Sequence, residues 1–239
     1  MVDLNSFSSS KAFFSEWEDS KKNFSIFFIL SILMLVLLFW IKTNIPSIAS
    51  QADIFSGFAL FGIIAAAVDY LNEKNGLFGF LFIGKNLTDT GVAFAAGLAL
   101  AVVFTVSSFA VISTPLSAVN LNASLAAFIF VVIVAPYVEE LFFRMALYPT
   151  LIVALGNRLN YFQAGVISAV FVSGAFALFH YAVFSAGFAL MIAAFLFSLI
   201  AIMGNRLFAS TYFSYGLHLG NNFIAFGGLA ALAGLGLAA

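Results

Sequence analysis

Residues 123–155 read ASLAAFIFVVIVAPYVEELFFRMALYPTLIVAL. As one helix this stretch is about 50 Å long, more than a bilayer hydrocarbon core of about 30 Å needs. It must therefore tilt, bend near Pro136, or divide into two segments, 123–138 and 140–155. Its middle carries Glu139, Glu140 and Arg144, three charges between two apolar runs.

The surrounding chain makes those charges conspicuous. Of 239 residues, 64% are hydrophobic and 8% charged, where a soluble domain carries roughly a quarter charged residues. The composition is that of an integral membrane protein, all-α and polytopic. Besides the central stretch, apolar segments at 24–41, 54–71, 91–112, 163–182, 185–203 and 212–237 are candidate spans, which gives seven or eight in all. NEKNGLFGFLFIGKNLTD (72–89) and STPLSAVNLN (113–122) read as interfacial loops. No internal repeat or linker is visible. The organisation expected is a polar cytoplasmic N-terminal segment, 1–23, followed by one membrane domain, 24–239. Because 24–41 is too long for a signal-peptide core and no cleavage site is obvious, the N-terminal end is expected to be a retained anchor.

Loop charges orient the chain. If the central stretch crosses once, Lys11, Lys21, Lys22, Lys74, Lys85, Arg158 and Arg206 fall on one side and only Lys42 on the other. This matches the positive-inside rule and favours one long, bent helix and an N-terminus in the cytoplasm. With no cysteine, disulfides, thiolate catalysis and Cys-ligated metals are excluded. A net charge of −1 without a basic cluster argues against a nucleic-acid partner.

Ionisable groups inside a bilayer are costly and mark functional sites. Lysines and arginines lie mostly in loops, and Asp69 and Glu73 lie near a segment end. What remains is Glu139, Glu140, Arg144, His180 and His218. Glu140 and Arg144, four apart, are natural ion-pair partners. Glu139 is about 100° round the helix from Glu140 and is left to serve as a carboxylate that accepts and returns a proton. His180 ends FALFH (176–180), from where it can meet Glu139 across the bundle and polarise a water. His218 and Asn222, in HLGNN (218–222), share one helical face and are donors of the type that stabilises an oxyanion. Taken singly, each has a structural reading: a His or Asn bridging helices, or an ion pair that only holds the fold. Tyr137, Tyr181 and Phe143 read as packing or lipid-facing groups, and Gly216 and Gly220 have the spacing of a close helix contact.

Other chemistries fit less well. No HExxH spacing exists, although Glu139, His180 and His218 would make a two-His, one-carboxylate metal set. Ser173 lies two helical turns from His180, which disfavours a serine protease. Paired intramembrane aspartates are missing, and a transporter is disfavoured because no inverted repeat appears.

Together EELFFR, FALFH and HLGNN resemble the EExxxR, FxxxH and HxxxN motifs of the CAAX protease and bacteriocin-processing (CPBP) family of intramembrane glutamate proteases, which includes the type II CAAX prenyl endopeptidases. The resemblance covers about residues 123–225. It implies a bundle of about eight helices with a cavity opening to the cytoplasm, and hydrolysis without a metal or other cofactor. It makes Glu139 the catalytic carboxylate that activates water with His180, and His218 and Asn222 the oxyanion site. Glu140, Arg144 and Phe176 would support the motif. The substrate implied is a membrane-embedded or prenylated CAAX-type peptide, and the setting expected is a prokaryotic cytoplasmic membrane. The competing expectation is a non-catalytic membrane protein, an immunity factor or complex subunit, that uses the same cluster to lock helices together.

Overall fold

The computed structural model describes residues 17–44, 49–71, 87–112, 128–156, 158–184, 187–208 and 210–228. Most of the polar N-terminal segment, Lys11, Lys74, Lys85 and nearly all of both predicted loops lie outside the described residues. Among the described residues the chain is all-helical, with no strand. In chain order the elements are α1 (Trp17–Asn44), α2 (Ala49–Leu71) and α3 (Leu87–Ile112). The central stretch follows as π1 (Phe130–Val134), α4 (Ala135–Glu140), π2 (Leu141–Leu147) and α5 (Tyr148–Gly156). Then come α6 (Tyr161–Phe184), α7 (Phe188–Phe208), α8 (Tyr212–Asn222) and π3 (Phe223–Gly228). Helix α1 starts earlier than the apolar pattern: WEDSKKN, placed in the polar N-terminal segment, already forms its first turns.

The central stretch is one unbroken helical run from 128 to 156. It changes pitch where it meets proline. In an α-helix, a proline ring strikes the carbonyl four residues back and supplies no N–H. Here the N–H of Ala135, just before Pro136, bonds to Phe130 O, and that of Tyr148, just before Pro149, bonds to Phe143 O. Both bonds span five residues, so each proline is preceded by a widened π-turn that keeps the helix continuous. Glu139, Glu140 and Arg144 lie between the two prolines.

Two apolar clusters flank this run. One packs Leu38 and Ile41 of α1 and Phe55 and Ala59 of α2 against Phe130, Val134 and Val138. The other gathers Phe143 and Tyr148 with Phe176 of α6, Phe197 and Ile202 of α7, and Phe213 and Leu217 of α8. Phe58 and Phe179 touch both.

Helices α3 and α8 meet backbone to backbone. A Cβ on Gly97 would run into the Phe213 carbonyl, one on Gly216 into the Phe94 carbonyl, and one on Gly220 into Ala101. Gly216 and Gly220 thus make the close contact that their spacing predicts. Where surroundings are as apolar as the protein, such proximity replaces the hydrophobic effect as the source of association.

The outer faces are apolar as well. Val36 and Phe39 on α1, Phe61 on α2, Val103 on α3, Phe162 and Phe171 on α6, and Met203 and Leu207 on α7 are all exposed. Two helical stretches, Tyr161–Tyr181 and Phe188–Phe208, are long and apolar enough to cross a membrane. Arg206, near the end of α7, lies over the Tyr161 ring at the start of α6. The α7 terminus and the Arg158 turn therefore share one end of the α6–α7 pair, and His180 lies towards the other.

Candidate active site

The site is built on three elements. The α4–π2 junction carries Glu139, Glu140 and Arg144, α6 carries Phe176 and His180, and α8 carries His218 and Asn222. Glu139, Glu140, Arg144 and His218 are each at most 3% exposed.

Glu140 and Arg144 pair within the helix, Oε1 to Nη1 at 3.1 Å, the partnership that their four-residue spacing predicts. The contact is ionic, and the guanidinium forms no hydrogen bond among the described residues. Instead it stacks on the Phe176 ring, 4.1 Å from its centre, so a quadrupole face takes the place of a second acceptor. Phe176 also contacts both imidazoles, with ring centres 4.2 Å from His180 and 5.8 Å from His218. One phenylalanine thereby sets the positions of the cation and of both histidines.

Each histidine is oriented by an acceptor at Nδ1. His180 Nδ1–H donates to the Phe176 carbonyl at 2.9 Å, and His218 Nδ1–H donates to Glu140 Oε1 at 2.9 Å. These partners fix the tautomer, leaving the Nε2 lone pair of each neutral ring for the other side. Both Nε2 atoms approach Glu139 Oε2, His180 at 3.7 Å and His218 at 3.8 Å. Glu139 Oε2 itself has no hydrogen-bond partner among the described residues.

One ligand atom from each of Glu139, His180 and His218 lies within 4.8 Å of the others. The centre of that triangle is at most about 2.4 Å from each atom, so a water oxygen at about 2.8 Å from all three sits slightly out of their plane. Such a water would give its two hydrogens to two of three acceptors, which leaves its oxygen electron-rich. The same triangle suits a divalent cation as a two-His, one-carboxylate set, with Glu140 and the Phe176 carbonyl as outer supports. His180 is the open edge: its side chain is 23% exposed, against 3% for Glu139 and 4% for His218.

Asn222 stands apart from this triangle in one respect. Its Nδ2 donates to the Val131 carbonyl of π1 at 2.9 Å, so one of its two amide hydrogens is committed. Ser173, set aside as a nucleophile on spacing, is fully buried and forms no side-chain hydrogen bond among the described residues. Tyr137 and Phe143 are packing groups: Tyr137 meets Ser31 at 2.9 Å inside the bundle, and Phe143 is buried against Phe176. Tyr181 is 54% exposed.

Several supporting residues were not singled out from sequence. Asn205 of α7 accepts the N–H of Ser214 with Oδ1 and donates to its hydroxyl with Nδ2, both at 2.9 Å. It thus satisfies one of the orphan donors of α8 from a neighbouring helix. Thr105 of α3 donates to Asn221 Oδ1 at 2.9 Å, and Asn221 donates to Asn222 Oδ1 at 3.3 Å. The available signal was weak but real: each is a polar side chain in a bundle helix, where it must find a partner.

Comparison with curated proteins and with solved structures finds no match. Residues 121–224, the part of the chain that holds all three motifs, match the family model described as type II CAAX prenyl endopeptidase Rce1-like, a family of membrane-embedded proteases, and the resemblance carried by those motifs is borne out over that stretch.

Proposed function

We propose that this protein is an intramembrane endopeptidase that cleaves a membrane-embedded or prenylated CAAX-type peptide with water activated by Glu139 and His180. The observation that carries the reading is the approach of both histidine Nε2 atoms to Glu139 Oε2, which has no hydrogen-bond partner among the described residues. The water attacks the scissile carbonyl as Glu139 takes its proton, and the C–N bond breaks as that proton passes to the leaving amine. His218, when doubly protonated, turns an Nε2–H towards the oxyanion while Glu140 balances the ring's charge. The second amide hydrogen of Asn222 joins it. With His218 protonated, the two cations, Arg144 and His218, offset the two carboxylates, Glu139 and Glu140, so the buried cluster as a whole bears no net charge.

The chain is proposed to cross a prokaryotic cytoplasmic membrane seven times, the 128–156 run counting once, with the N-terminus inside. No metal is required in this scheme.

The test is cleavage of a prenylated CAAX-type peptide and a panel of membrane peptides by purified protein. Glu139→Gln and His180→Ala are each expected to lower turnover by at least about 100-fold. Turnover at the wild-type rate in both overturns the proposal. The contact from His218 to Glu140 joins α8 to the central run and supports a second reading, a non-catalytic helix lock. Under that reading no substrate is cleaved and Glu139→Gln unfolds at a clearly lower temperature. Under the protease reading its unfolding temperature is held or raised.

A further inference from the structure

The π1 turn leaves one carbonyl without a backbone donor. In an α-helix Val131 O would accept from Ala135 N–H, but that N–H is given to Phe130 O. In π geometry the donor would be residue 136, which is proline and has none. Val131 is half-buried, and a carbonyl passed over in both registers gains from a donor supplied from elsewhere. Asn222 Nδ2 does so at 2.9 Å. Its amide is held in that sense by a relay, since its own Oδ1 accepts from Asn221, whose Oδ1 accepts from Thr105. The chain of contacts runs from α3 through α8 to the π-turn that leads into α4, the segment carrying Glu139 and Glu140.

We infer that Asn222 is a positioning residue: its carboxamide replaces the backbone donor that Pro136 lacks and so fixes the π-turn that sets the direction of Glu139. The consequence for turnover rests on the protease reading above, whereas the consequence for the helix does not. The two therefore fail separately.

The experiment is a double-mutant cycle on the full chain in detergent, read by thermal unfolding and by peptide cleavage. Asn222→Leu keeps the shape and removes the donor; Pro136→Ala restores a backbone N–H. In the Pro136 background, Asn222→Leu is expected to lower Tm by about 3–10 °C. In the Pro136→Ala background the fall should shrink to less than half, because the turn no longer needs an outside donor. Thr105→Val, which releases the far end of the relay, should give a smaller fall of the same kind. Equal falls in both backgrounds, or no fall in either, overturn the inference. If Asn222→Leu alone does not fold, recovery of folded protein in the double variant is expected, and its absence is equally decisive. Pro136→Leu serves in place of Pro136→Ala should that variant not fold. An oxyanion role alone would lower kcat by the same factor in both backgrounds and leave Tm unmoved.

Discussion

His218 touches both acids of the central stretch, Glu140 through Nδ1 at 2.9 Å and Glu139 through Nε2 at 3.8 Å. The two contacts have different consequences. The first is a hydrogen bond that orients the ring, and the second aims it.

Glu140→Gln is therefore expected to be the most damaging substitution in the cluster for stability. It leaves Arg144 buried without a counter-charge and weakens the acceptor of His218, a loss of about 3–5 kcal/mol. Thermal unfolding should show a much larger fall for Glu140→Gln than for Glu139→Gln. Equal falls would mean that Glu139, too, is held by a partner.

Phe176→Leu keeps an apolar side chain but removes the face under Arg144 and the ring against both histidines. A stability loss of about 0.5–2 kcal/mol is expected from the cation–π term, together with reduced turnover from misplaced imidazoles. Arg144→Lys should not match wild type, because an ammonium lacks the planar surface that stacks on Phe176. Unfolding curves of Phe176→Leu, Arg144→Lys and the double variant check this: losses that add in full refute the coupling.

How much of this was legible in the sequence follows from the range of the interactions involved. The Glu140–Arg144 pair is a four-residue relationship within one helix, so spacing alone predicts it. That Glu139 is left over follows from the same geometry. Among the described residues each long helix coincides with an apolar run, with ends displaced by a few residues because polar turns such as WEDSKKN continue a helix beyond its apolar pattern. The partners of His218 were not legible. Spacing paired it with Asn222 on one face, but its hydrogen bond goes to Glu140, 78 residues away. Nor was the role of Asn205, since a cap supplied by another helix leaves no local pattern. Pro136 was read as a place to bend, whereas the chain answers it with a change of pitch, which sequence periodicity does not register.

Gly216→Ala tests the α3–α8 contact. The added methyl meets the Phe94 carbonyl, which belongs to a helix backbone and cannot step aside as a side chain can. A loss of about 1–3 kcal/mol is expected. Gly57→Ala is the control, since nothing lies within 4 Å of the added atom. It should be neutral or stabilising by up to about 1 kcal/mol. A neutral Gly216→Ala would mean that these helices do not need their close approach.

The native chain has no cysteine, so single cysteines report topology without background. The loop charges predict that Arg158→Cys is labelled from the cytoplasmic side and Lys42→Cys from the other. Gly187→Cys, beyond the His180 end of α6, should then also label from outside. A reversed pattern would refute the charge-based orientation and turn the His180 end towards the cytoplasm, as the family resemblance implies. The measurement is modification by a membrane-impermeant thiol reagent in intact cells and in inverted vesicles.

The two prolines bracket the charged cluster, and each is entered through a turn one residue wider than its neighbours. Glu139 and Glu140 are adjacent, about 100° apart around the axis, which is also the rotation that one residue gained or lost in π1 imposes on everything after it. Shortening Val131–Val134 by a single residue would leave every side chain of EELFFR in place along the chain, yet bring Glu140 round to the direction that Glu139 now holds. On the proposed mechanism, the choice of reactive acid is thus a matter of helical phase, set by a turn that contains no charge.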